Sequence, residues 1–303
     1  MRMLTAVMVF LMVAAPGFAA PIPGLPGVSA GVLQSFGTDK YNGTDVYAAG
    51  SIGGISIAPE YRRYNMGGLG GARNVFSARV GWDSRWLGLG LSAGGVLRRA
   101  GYDAVFGGAD VAFTVSPLGD AGIRRIGGSS RGGAPVGKGL ARVDFGGGVM
   151  ATRHRDAATA AAPERKLSQT EMHAFVGASV LDILVSGRVS KFAYDKDLRA
   201  APAPGAVWTP LAGHLSYTNG YADTSVNAGM ECPFFPFVAP FASFTYTRYR
   251  AQPLTQPGDT KAYTAGVRVG LEMLALEAQF QHVNAAGPDK ERNFSGIGAQ
   301  LRF

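Results

Sequence analysis

The stretch NFSGIGAQLRF, residues 293–303, decides the fold of this chain. On an extended strand Ile297, Leu301 and Phe303 share one face, and Arg302 lies on the opposite face. A period of two with one apolar and one polar face is typical of a β-strand that separates two different environments. The chain is therefore predicted to end in a strand whose apolar face finishes on Phe303.

An alternating final strand that ends on phenylalanine resembles the closing strand of Gram-negative outer-membrane β-barrels. In that family the barrel insertion machinery reads this segment. The resemblance therefore implies that Phe303 is an assembly signal and that the insertion machinery is a partner. It also implies that the protein resides in the cell outer membrane and that both chain ends lie on the periplasmic side.

The N-terminus predicts export. Arg2 precedes an apolar run over residues 4–15, and small residues follow up to Ala20. A basic start, a short apolar core and small residues at a cleavage site are typical of a secretory signal peptide, here residues 1–19 with cleavage after Ala19. The run is too short to cross a bilayer as a helix.

Composition favours a membrane barrel over a secreted soluble domain. The chain is 47% hydrophobic and 17% charged and has 44 glycines, which suits strands with one lipid-facing side. Past residue 20 no apolar stretch approaches the roughly 20 residues that a membrane helix needs. The single Cys232 excludes an internal disulfide framework and is expected to be inert.

The alternation recurs in eleven earlier segments, which are residues 55–62, 76–82, 87–98, 105–115, 141–149, 171–180, 183–190, 225–231, 238–247, 263–269 and 276–281. With the final strand they predict an all-β, antiparallel, up-and-down transmembrane β-barrel of about twelve strands over residues 51–303. Residues 20–50 are then an N-terminal extension, folded into the lumen or across the periplasmic mouth. If residues 28–36 and 121–131 are strands as well, the count becomes fourteen.

A closed barrel follows because every backbone N–H and C=O inside a bilayer must be paired, whereas an open sheet leaves two edges unpaired. A soluble sandwich or lipocalin-like barrel would alternate in the same way, but with its apolar face inward. The terminal Phe303, the glycine-rich polar faces and the aromatic residues near strand ends favour the membrane version.

Short and long connections alternate along the chain. Counting back from Phe303 places the short ones at the periplasmic side, which are residues 82–86, 181–182, 233–236 and 272–273. The long polar connections 153–168, 195–221 and 250–260 are expected to face outside, as in bacterial barrels. Residues 117–138 depart from this pattern, because they form a long periplasmic turn.

With the apolar face towards lipid, the polar face lines the lumen. Its charged residues are Glu60, Arg62, Arg79, Arg98, Asp110, Arg142, Asp144, Glu171, Arg188, Arg268, Glu277 and Arg302. Opposed charges that line a channel set which solutes pass, so these residues predict a narrow passive channel for small solutes. Arginines outnumber acids in this set, which predicts a weak preference for anions. The alternative is that the charges pair across the lumen and close it, giving a structural barrel.

The formal net charge of +8 does not predict nucleic-acid binding, because the chain is exported and has no basic–aromatic motif. Many of the cations fall at outer strand ends, where they are expected to contact lipopolysaccharide phosphates, or else to be simply solvated. They are Arg62, Arg63, Arg98, Arg99, Arg153, Arg155, Lys191, Arg248 and Arg250.

No motif predicts a cofactor, and no metal site is expected from the four histidines. Residues 132–139 nearly spell a phosphate-binding loop, but Gly139 stands where Ser or Thr must hold magnesium. The pair His214 and Ser216 resembles the His-x-Ser pair of outer-membrane phospholipases and lipid A deacylases. Here the following Asn219 is displaced from that pattern. The protein is therefore not expected to be an enzyme, with an outer-membrane lipid hydrolase as the alternative.

Overall fold

The computed structural model describes residues 28–302, apart from 53, 68–70, 85, 100, 117–140, 159–162, 182, 199–206, 216–217, 233–236, 251–257, 272 and 286–290. The predicted signal peptide, the turn at 117–138 with its optional strand 121–131, Ser216 and Phe303 lie outside the described residues. Among the residues described, no helix has the length and apolar character needed to cross a membrane.

The wall of the molecule is one closed antiparallel barrel. Its strands are β1 (Ser29–Gly37), β2 (Tyr41–Ile52), β3 (Ile55–Asn65), β4 (Arg73–Asp83), β5 (Leu87–Arg99), β6 (Tyr102–Val115), β7 (Ala141–Asp156), β8 (Arg165–Val180), β9 (Ile183–Tyr194), β12 (Ala222–Glu231), β13 (Val238–Tyr249), β14 (Asp259–Leu271), β15 (Leu274–Ala285) and β16 (Glu291–Arg302). Between β9 and β12 in the chain, β10 (Trp208–Thr209) and β11 (Thr218–Asn219) pair only with each other.

The barrel has fourteen strands, the number given by the alternative count, and not the preferred twelve. The two added strands are β1, which the prediction for residues 28–36 anticipated, and β2. The expectation of an N-terminal extension over residues 20–50 is therefore corrected, because residues 29–52 are barrel wall. The pattern of β2 is reversed near its start, since Tyr41 points inward and Asn42 outward. Apolar residues return to the outer face from Val46 to the exposed Ile52.

The barrel closes where its first strand meets its last. β1 pairs with β16 from Ser29 opposite Arg302 to Gly37 opposite Phe294. β1 continues into β2 through a tight turn whose central residues, Asp39 and Lys40, have positive φ angles of 60° and 56°. Two positive φ values at the turn match the right-handed twist of the two flanking strands. This end of the chain is thus a regular part of the wall.

The outer and inner faces of the wall have opposite character. Large apolar side chains such as Leu91, Val105 and Ile297 are exposed on the outside, although they sit on regular strands. The alternate positions hold buried polar side chains, including Asp144 and Gln281. A soluble barrel would have the reverse arrangement, so the apolar face must be covered by lipid. The lipocalin-like alternative is thereby excluded.

Both chain termini of the barrel lie at one end, here called the terminal end, beside Ser29 and Arg302. The opposite end, called the loop end, carries the connections at 157–164, 195–221 and 250–258. The prediction that all of 195–221 extends outward is wrong, because part of this connection is buried within the barrel.

Candidate functional site

A segment of the connection between β9 and β12 folds into the barrel at its loop end. It comprises residues 207–215 and is called the plug segment. Its apolar side chains Val207, Trp208, Leu211 and Leu215 are all buried. These residues would expose a large apolar surface if the connection extended into water, which explains why the segment turns inward.

Side chains of the wall satisfy the buried backbone of the plug segment. The Gln281 side chain accepts a hydrogen bond from the Leu215 N–H (3.0 Å) and donates one to the Gly213 carbonyl (2.7 Å). On the other side of the lumen the Trp208 N–H donates to the Tyr102 hydroxyl (2.9 Å). Because buried backbone groups cost free energy when unpaired, these wall side chains fix where the segment sits.

Further hydrogen bonds come from three other strands. Thr245 on β13 donates its hydroxyl to the Ala212 carbonyl (3.1 Å), and Thr264 on β14 donates to the Gly213 carbonyl (3.4 Å). Tyr41 on β2 donates to the Leu215 carbonyl (3.2 Å). The plug segment is therefore held by polar side chains from several parts of the wall.

Apolar packing holds the same segment. The Trp208 indole stacks on the Phe106 ring with 4.9 Å between the ring centroids. Trp208 and Leu215 belong to one buried cluster with residues of β1 to β6 and β14 to β16. Those wall residues are Leu33, Tyr41, Tyr64, Val75, Val96, Tyr102, Ala104, Ala262, Val283 and Phe294. Leu211 and Val207 pack in two smaller clusters against β8, β9 and β12. The loop half of the lumen is thus filled by an apolar core.

Gly213 forms the tightest point of the plug segment. Its φ angle is +76°, a conformation that L side chains rarely adopt. A Cβ atom there would lie 2.3 Å from the Asn227 amide nitrogen and 2.4 Å from the Thr245 hydroxyl oxygen. Only glycine therefore fits this close approach between the plug segment and the wall.

His214 is buried in the plug segment, and neither of its ring nitrogens has a hydrogen-bond partner among the described residues. Burial lowers the pKa of its imidazole from about 6.5 to about 4. A catalytic base needs a group that orients the ring and access to a nucleophile. Here no orienting group is described, and Ser216 lies outside the described residues. The arrangement of His214 therefore gives the hydrolase alternative no support.

Four of the charged residues predicted to line the lumen form ion pairs within single strands. On β3 the Arg62 guanidinium contacts the Glu60 carboxylate at 2.5 Å. On β7 Arg142 contacts Asp144 at 2.8 Å, and Thr114 of β6 donates its hydroxyl to the same carboxylate at 2.6 Å. Residues two apart on a strand share a face, which is why these pairs form locally.

Four more predicted residues pair between different strands. Arg79 of β4 reaches over β5 to Asp110 of β6, with a shortest distance of 2.5 Å. This is possible because Gly90 lies between them, where a Cβ atom would be 2.2 Å from the Arg79 guanidinium. Arg188 of β9 contacts Glu171 of β8 at 2.8 Å. The charges therefore pair sideways along the wall.

Arg268 of β14 joins two carboxylates at once. It lies 2.7 Å from Glu277 of β15 and 2.8 Å from Glu231 of β12, and its guanidinium stands 5.4 Å from the centre of the Phe241 ring. Glu231 is absent from the predicted set, although the alternation of β12 places it on the inner face. With Glu231 included, these ion pairs contain five arginines and six carboxylates. The paired residues therefore lack the excess of arginines on which the predicted preference for anions was based.

The last two residues of the predicted set lie at opposite ends of the barrel. Arg98 is exposed at the loop end of β5, beside a register shift between Val96 and Arg99. Arg302 pairs through its backbone with Ser29 at the terminal end, and its side chain is not among those described. Arg98 is therefore not part of the ion pairs described above.

The plug segment and the ion pairs occupy different levels of the lumen. On β6 Phe106 contacts the plug segment, and Asp110 lies four residues nearer the terminal end. On β14 Thr264 and Arg268 have the same separation. Four residues of strand span about 13 Å. The loop half is therefore largely apolar and filled, and the pairs of Arg79, Arg188 and Arg268 line the terminal half. The Arg62 pair lies between the two levels, since Arg62 stands opposite Val75 of the apolar cluster.

The outward apolar face, the closed wall and the paired chain ends together decide the class. This is a transmembrane β-barrel. Its long connections gather at the loop end, and in bacterial outer-membrane barrels the long connections are extracellular and the short turns periplasmic.

Comparison with solved structures finds barrels of similar fold at low sequence identity. The CymD monoaromatic hydrocarbon channel is 10% identical, with a TM-score of 0.50, over 92% of this chain and 88% of that one. OmpT of Vibrio cholerae is 10% identical (TM-score 0.47; 92% and 98% covered). OprD of Pseudomonas aeruginosa is 9% identical (TM-score 0.46; 92% and 94% covered). No protein-family model and no curated protein sequence matches this chain.

Among the residues of this chain that the structure describes, no group of three His, Cys, Asp or Glu side chains could bind a metal ion. The site is therefore defined by two features alone, which are the plug segment in the loop half and the ion pairs in the terminal half.

Proposed function

We propose that this outer-membrane barrel is a narrow channel for small polar solutes that the plug segment closes at the loop end. One observation carries the proposal. Arg79, Arg188 and Arg268 point into the barrel, yet their side chains keep exposed fractions of 28%, 25% and 22%. Solvent-sized space therefore adjoins these side chains in the terminal half of the lumen.

The charge pairs favour a channel over a purely structural barrel. Buried ion pairs are poor stabilisers, because removing two charges from water costs about as much as their attraction returns. A barrel that needed only to be stable would gain more from apolar packing, as in its own loop half. Partly hydrated pairs avoid most of this cost and present a polar wall to a passing solute.

The plug segment is suited to act as a gate because its removal breaks no strand of the wall. β10 and β11 pair only with each other, so the wall ladder from β9 to β12 stays intact when the segment leaves. Its departure would break the hydrogen bonds that the wall makes to it and would expose the apolar surfaces around Trp208 and Leu215 to water. Opening then needs movement of one connection only.

In the pairs whose arginines are partly exposed, three arginines meet four carboxylates. This near balance supports small polar solutes of either charge, without strong ion selectivity. Lateral pairing leaves each charge partly neutralised, so a solute would meet alternating hydrogen-bond donors and acceptors along the wall.

The test compares the natural chain with a variant in which residues 207–215 are replaced by a Gly-Ser linker of equal length. Both are purified, checked for heat-modifiable migration and placed in planar bilayers. We expect rare, small conductance steps for the natural chain and frequent, larger steps for the variant. A second variant, Trp208→Ser with Leu215→Ser, should give an intermediate increase. If the linker variant folds and stays silent, the barrel is structural and the channel proposal fails.

A further inference from the structure

The outward-facing cations at the loop end are concentrated on one side of the barrel. They lie on β7, β8, β9, β13 and β14, which with β12 form one continuous sector of the wall. Each side chain is exposed and stands on the lipid-facing register of its strand. The residues are Arg153, Arg155, Lys166, Lys191, Arg248 and Lys261.

The opposite side of the barrel has a different outer edge. At the same level, β1 to β4, β15 and β16 present neutral amides on their outward positions. These residues are Gln34, Asn42, Asn65, Asn74, Asn284 and Asn293. Arg63 on β3 is a cation among them. The positive charge is thus a feature of one sector and not a general property of the loop end.

Within the basic sector three cations converge on one carboxylate. The Lys191 ammonium lies 2.8 Å from the Asp223 carboxylate, the Arg250 guanidinium 3.1 Å and the Arg248 guanidinium 3.9 Å. The Asp223 side chain is 13% exposed, whereas those of Lys191 and Arg248 are 52% and 65% exposed. Asp223 lies one residue nearer the loop end than Thr224, which pairs with both Lys191 and Arg248, and its carboxylate holds the three cations together. These four residues are called the Asp223 cluster.

The cations of the Asp223 cluster exceed its carboxylate by two charges. The exposed Asp259 stands opposite Arg248 and accepts a hydrogen bond from the Tyr246 hydroxyl (2.5 Å), so this outer surface carries three cations and two carboxylates. Arg250 is held in place by a hydrogen bond to the Phe192 carbonyl (3.1 Å), and the Lys191 ammonium also donates to the Thr224 hydroxyl (3.2 Å). A carboxylate that positions several cations reduces the entropy lost when an anion binds to them. The arrangement is thus prepared for an anionic group with several oxygen atoms, which Arg binds with paired hydrogen bonds.

Apolar side chains lie directly on the membrane side of the same cations. On β9 the exposed Val189 is the next outward residue below Lys191, and on β14 the exposed Tyr263 stands below Lys261. Val226 on β12 is exposed at the same level and pairs with Val189. An anionic head above and an apolar surface below match an amphiphile, not a free inorganic anion.

We infer that the Asp223 cluster is a binding site for the phosphorylated headgroup of a glycolipid in the outer leaflet. The phosphate occupies the space above Lys191 and Arg248, and an acyl chain lies along Val189 and Val226. The inference is independent of whether the lumen conducts, because it rests on the outer face alone.

The experiment uses the full-length barrel in neutral detergent with lipid A as the probe. Native mass spectrometry counts the lipid A molecules retained per barrel after exchange into lipid-free detergent. The test variant is Lys191→Gln with Arg248→Gln, and the matched control is Arg63→Gln with Arg98→Gln, which removes two exposed arginines outside the basic sector. Heat-modifiable migration checks that all three proteins are folded.

We expect the test variant to retain about tenfold less diphosphorylated lipid A than the natural chain, since it loses two cations that attract an anionic headgroup. The control should stay within about twofold. Chemically dephosphorylated lipid A should bind the natural chain as weakly as the test variant binds lipid A. Equal retention by the test variant, or an equal reduction in the control, overturns the site. Full displacement of lipid A by millimolar inorganic phosphate would also overturn it, by reducing the site to an anion site.

Discussion

Gln281 holds the plug segment through two backbone groups that lie two residues apart. Its amide oxygen accepts a hydrogen bond from the Leu215 N–H, and its amide nitrogen donates one to the Gly213 carbonyl. The same nitrogen lies 2.7 Å from the Thr264 hydroxyl oxygen. One buried amide therefore serves three partners, which an ionised carboxylate or an ammonium group could not do because the first only accepts and the second only donates.

The variant Gln281→Leu should loosen the plug segment. It leaves the buried Leu215 N–H without its wall partner, at a cost of about 1–3 kcal/mol, and leaves the Gly213 carbonyl with the longer bond from Thr264. In planar bilayers the fraction of time spent open should rise at least about tenfold. The control is Gln34→Leu, which removes an outward-facing amide bonded to Asn42 and Thr44. An unchanged open fraction in Gln281→Leu would show that this residue does not hold the gate.

Gly213→Ala should expel the plug segment by a steric clash. The new Cβ atom would meet Asn227 and Thr245 at 2.3 and 2.4 Å, and the φ angle of +76° adds strain. Gly101→Ala is the matched control, because Gly101 has a φ angle of +83° but no atom within 4 Å of the added Cβ. Conductance should increase in the first variant and stay unchanged in the second. Equal behaviour of the two variants would assign any effect to backbone strain alone.

Acidification should release the plug segment through His214. Burial lowers the pKa of this imidazole to about 4, whereas in water it is about 6.5. Between these values the released segment binds a proton that the seated segment does not. The stability of the plug segment inside the lumen is therefore at its full value above about pH 6.5. It falls progressively as the pH drops towards 4. By pH 5 the reduction is about 2 kcal/mol, which predicts a clear rise in open probability between pH 7 and pH 5.

The control for this pH effect is His214→Leu, which keeps the apolar packing and removes the titrating group. Its open probability should not change between pH 7 and pH 5. His154 and His173 also lie inside the barrel, so any pH effect that persists in His214→Leu belongs to them or to the carboxylates of the wall. An identical pH profile in the natural chain and in His214→Leu would refute the role of His214.

Arg268→Ser should turn the terminal half of the lumen towards cations. Arg268 neutralises both Glu231 and Glu277, so its removal leaves two carboxylates facing the lumen. The reversal potential in a KCl gradient, measured on the variant that lacks the plug segment, should shift towards cation selectivity. Glu277→Gln in the same background should shift it the opposite way. Absence of both shifts would mean that ions do not pass this level of the lumen.

Phe303→Asp should reduce assembly of the barrel in cells. The reason is the resemblance of residues 293–303 to the segment that the insertion machinery reads, together with the position of β16 as the strand that pairs with β1. Heat-modifiable protein in the outer-membrane fraction should fall several-fold, and Phe303→Tyr should restore it. Normal yields of folded Phe303→Asp would remove the assembly role.

The sequence was sufficient to predict the class of fold and most of the wall, because lipid imposes apolar alternation wherever a strand faces it. It was insufficient for β2, for a physical reason. Tyr41 of β2 points inward to the plug segment and Asn42 points outward near the headgroup level, which reverses the expected pattern. A strand whose inner face contacts an apolar plug segment instead of water does not show the alternation of apolar outward and polar inward residues.

The candidate site was predictable only in part. Alternation placed Glu60, Arg79 and Arg268 on the polar face, but it could not show that the pairs form along the wall. That outcome depends on the register of neighbouring strands and on small residues such as Gly90. The plug segment left one trace in the sequence, which is the group of apolar residues Val207, Trp208, Leu211 and Leu215 within an otherwise polar connection.

The plug segment also has a mechanical consequence. Tyr102 on β6 and Gln281 on β15 stand seven strands apart in a ring of fourteen, so they lie on opposite walls, and the segment is hydrogen-bonded to both. The plug segment therefore cross-links the barrel wall across its diameter and resists deformation of the barrel cross-section. Lateral tension in the membrane that distorts the barrel cross-section would strain these same hydrogen bonds. Removal of the plug segment from the lumen would leave the wall easier to deform.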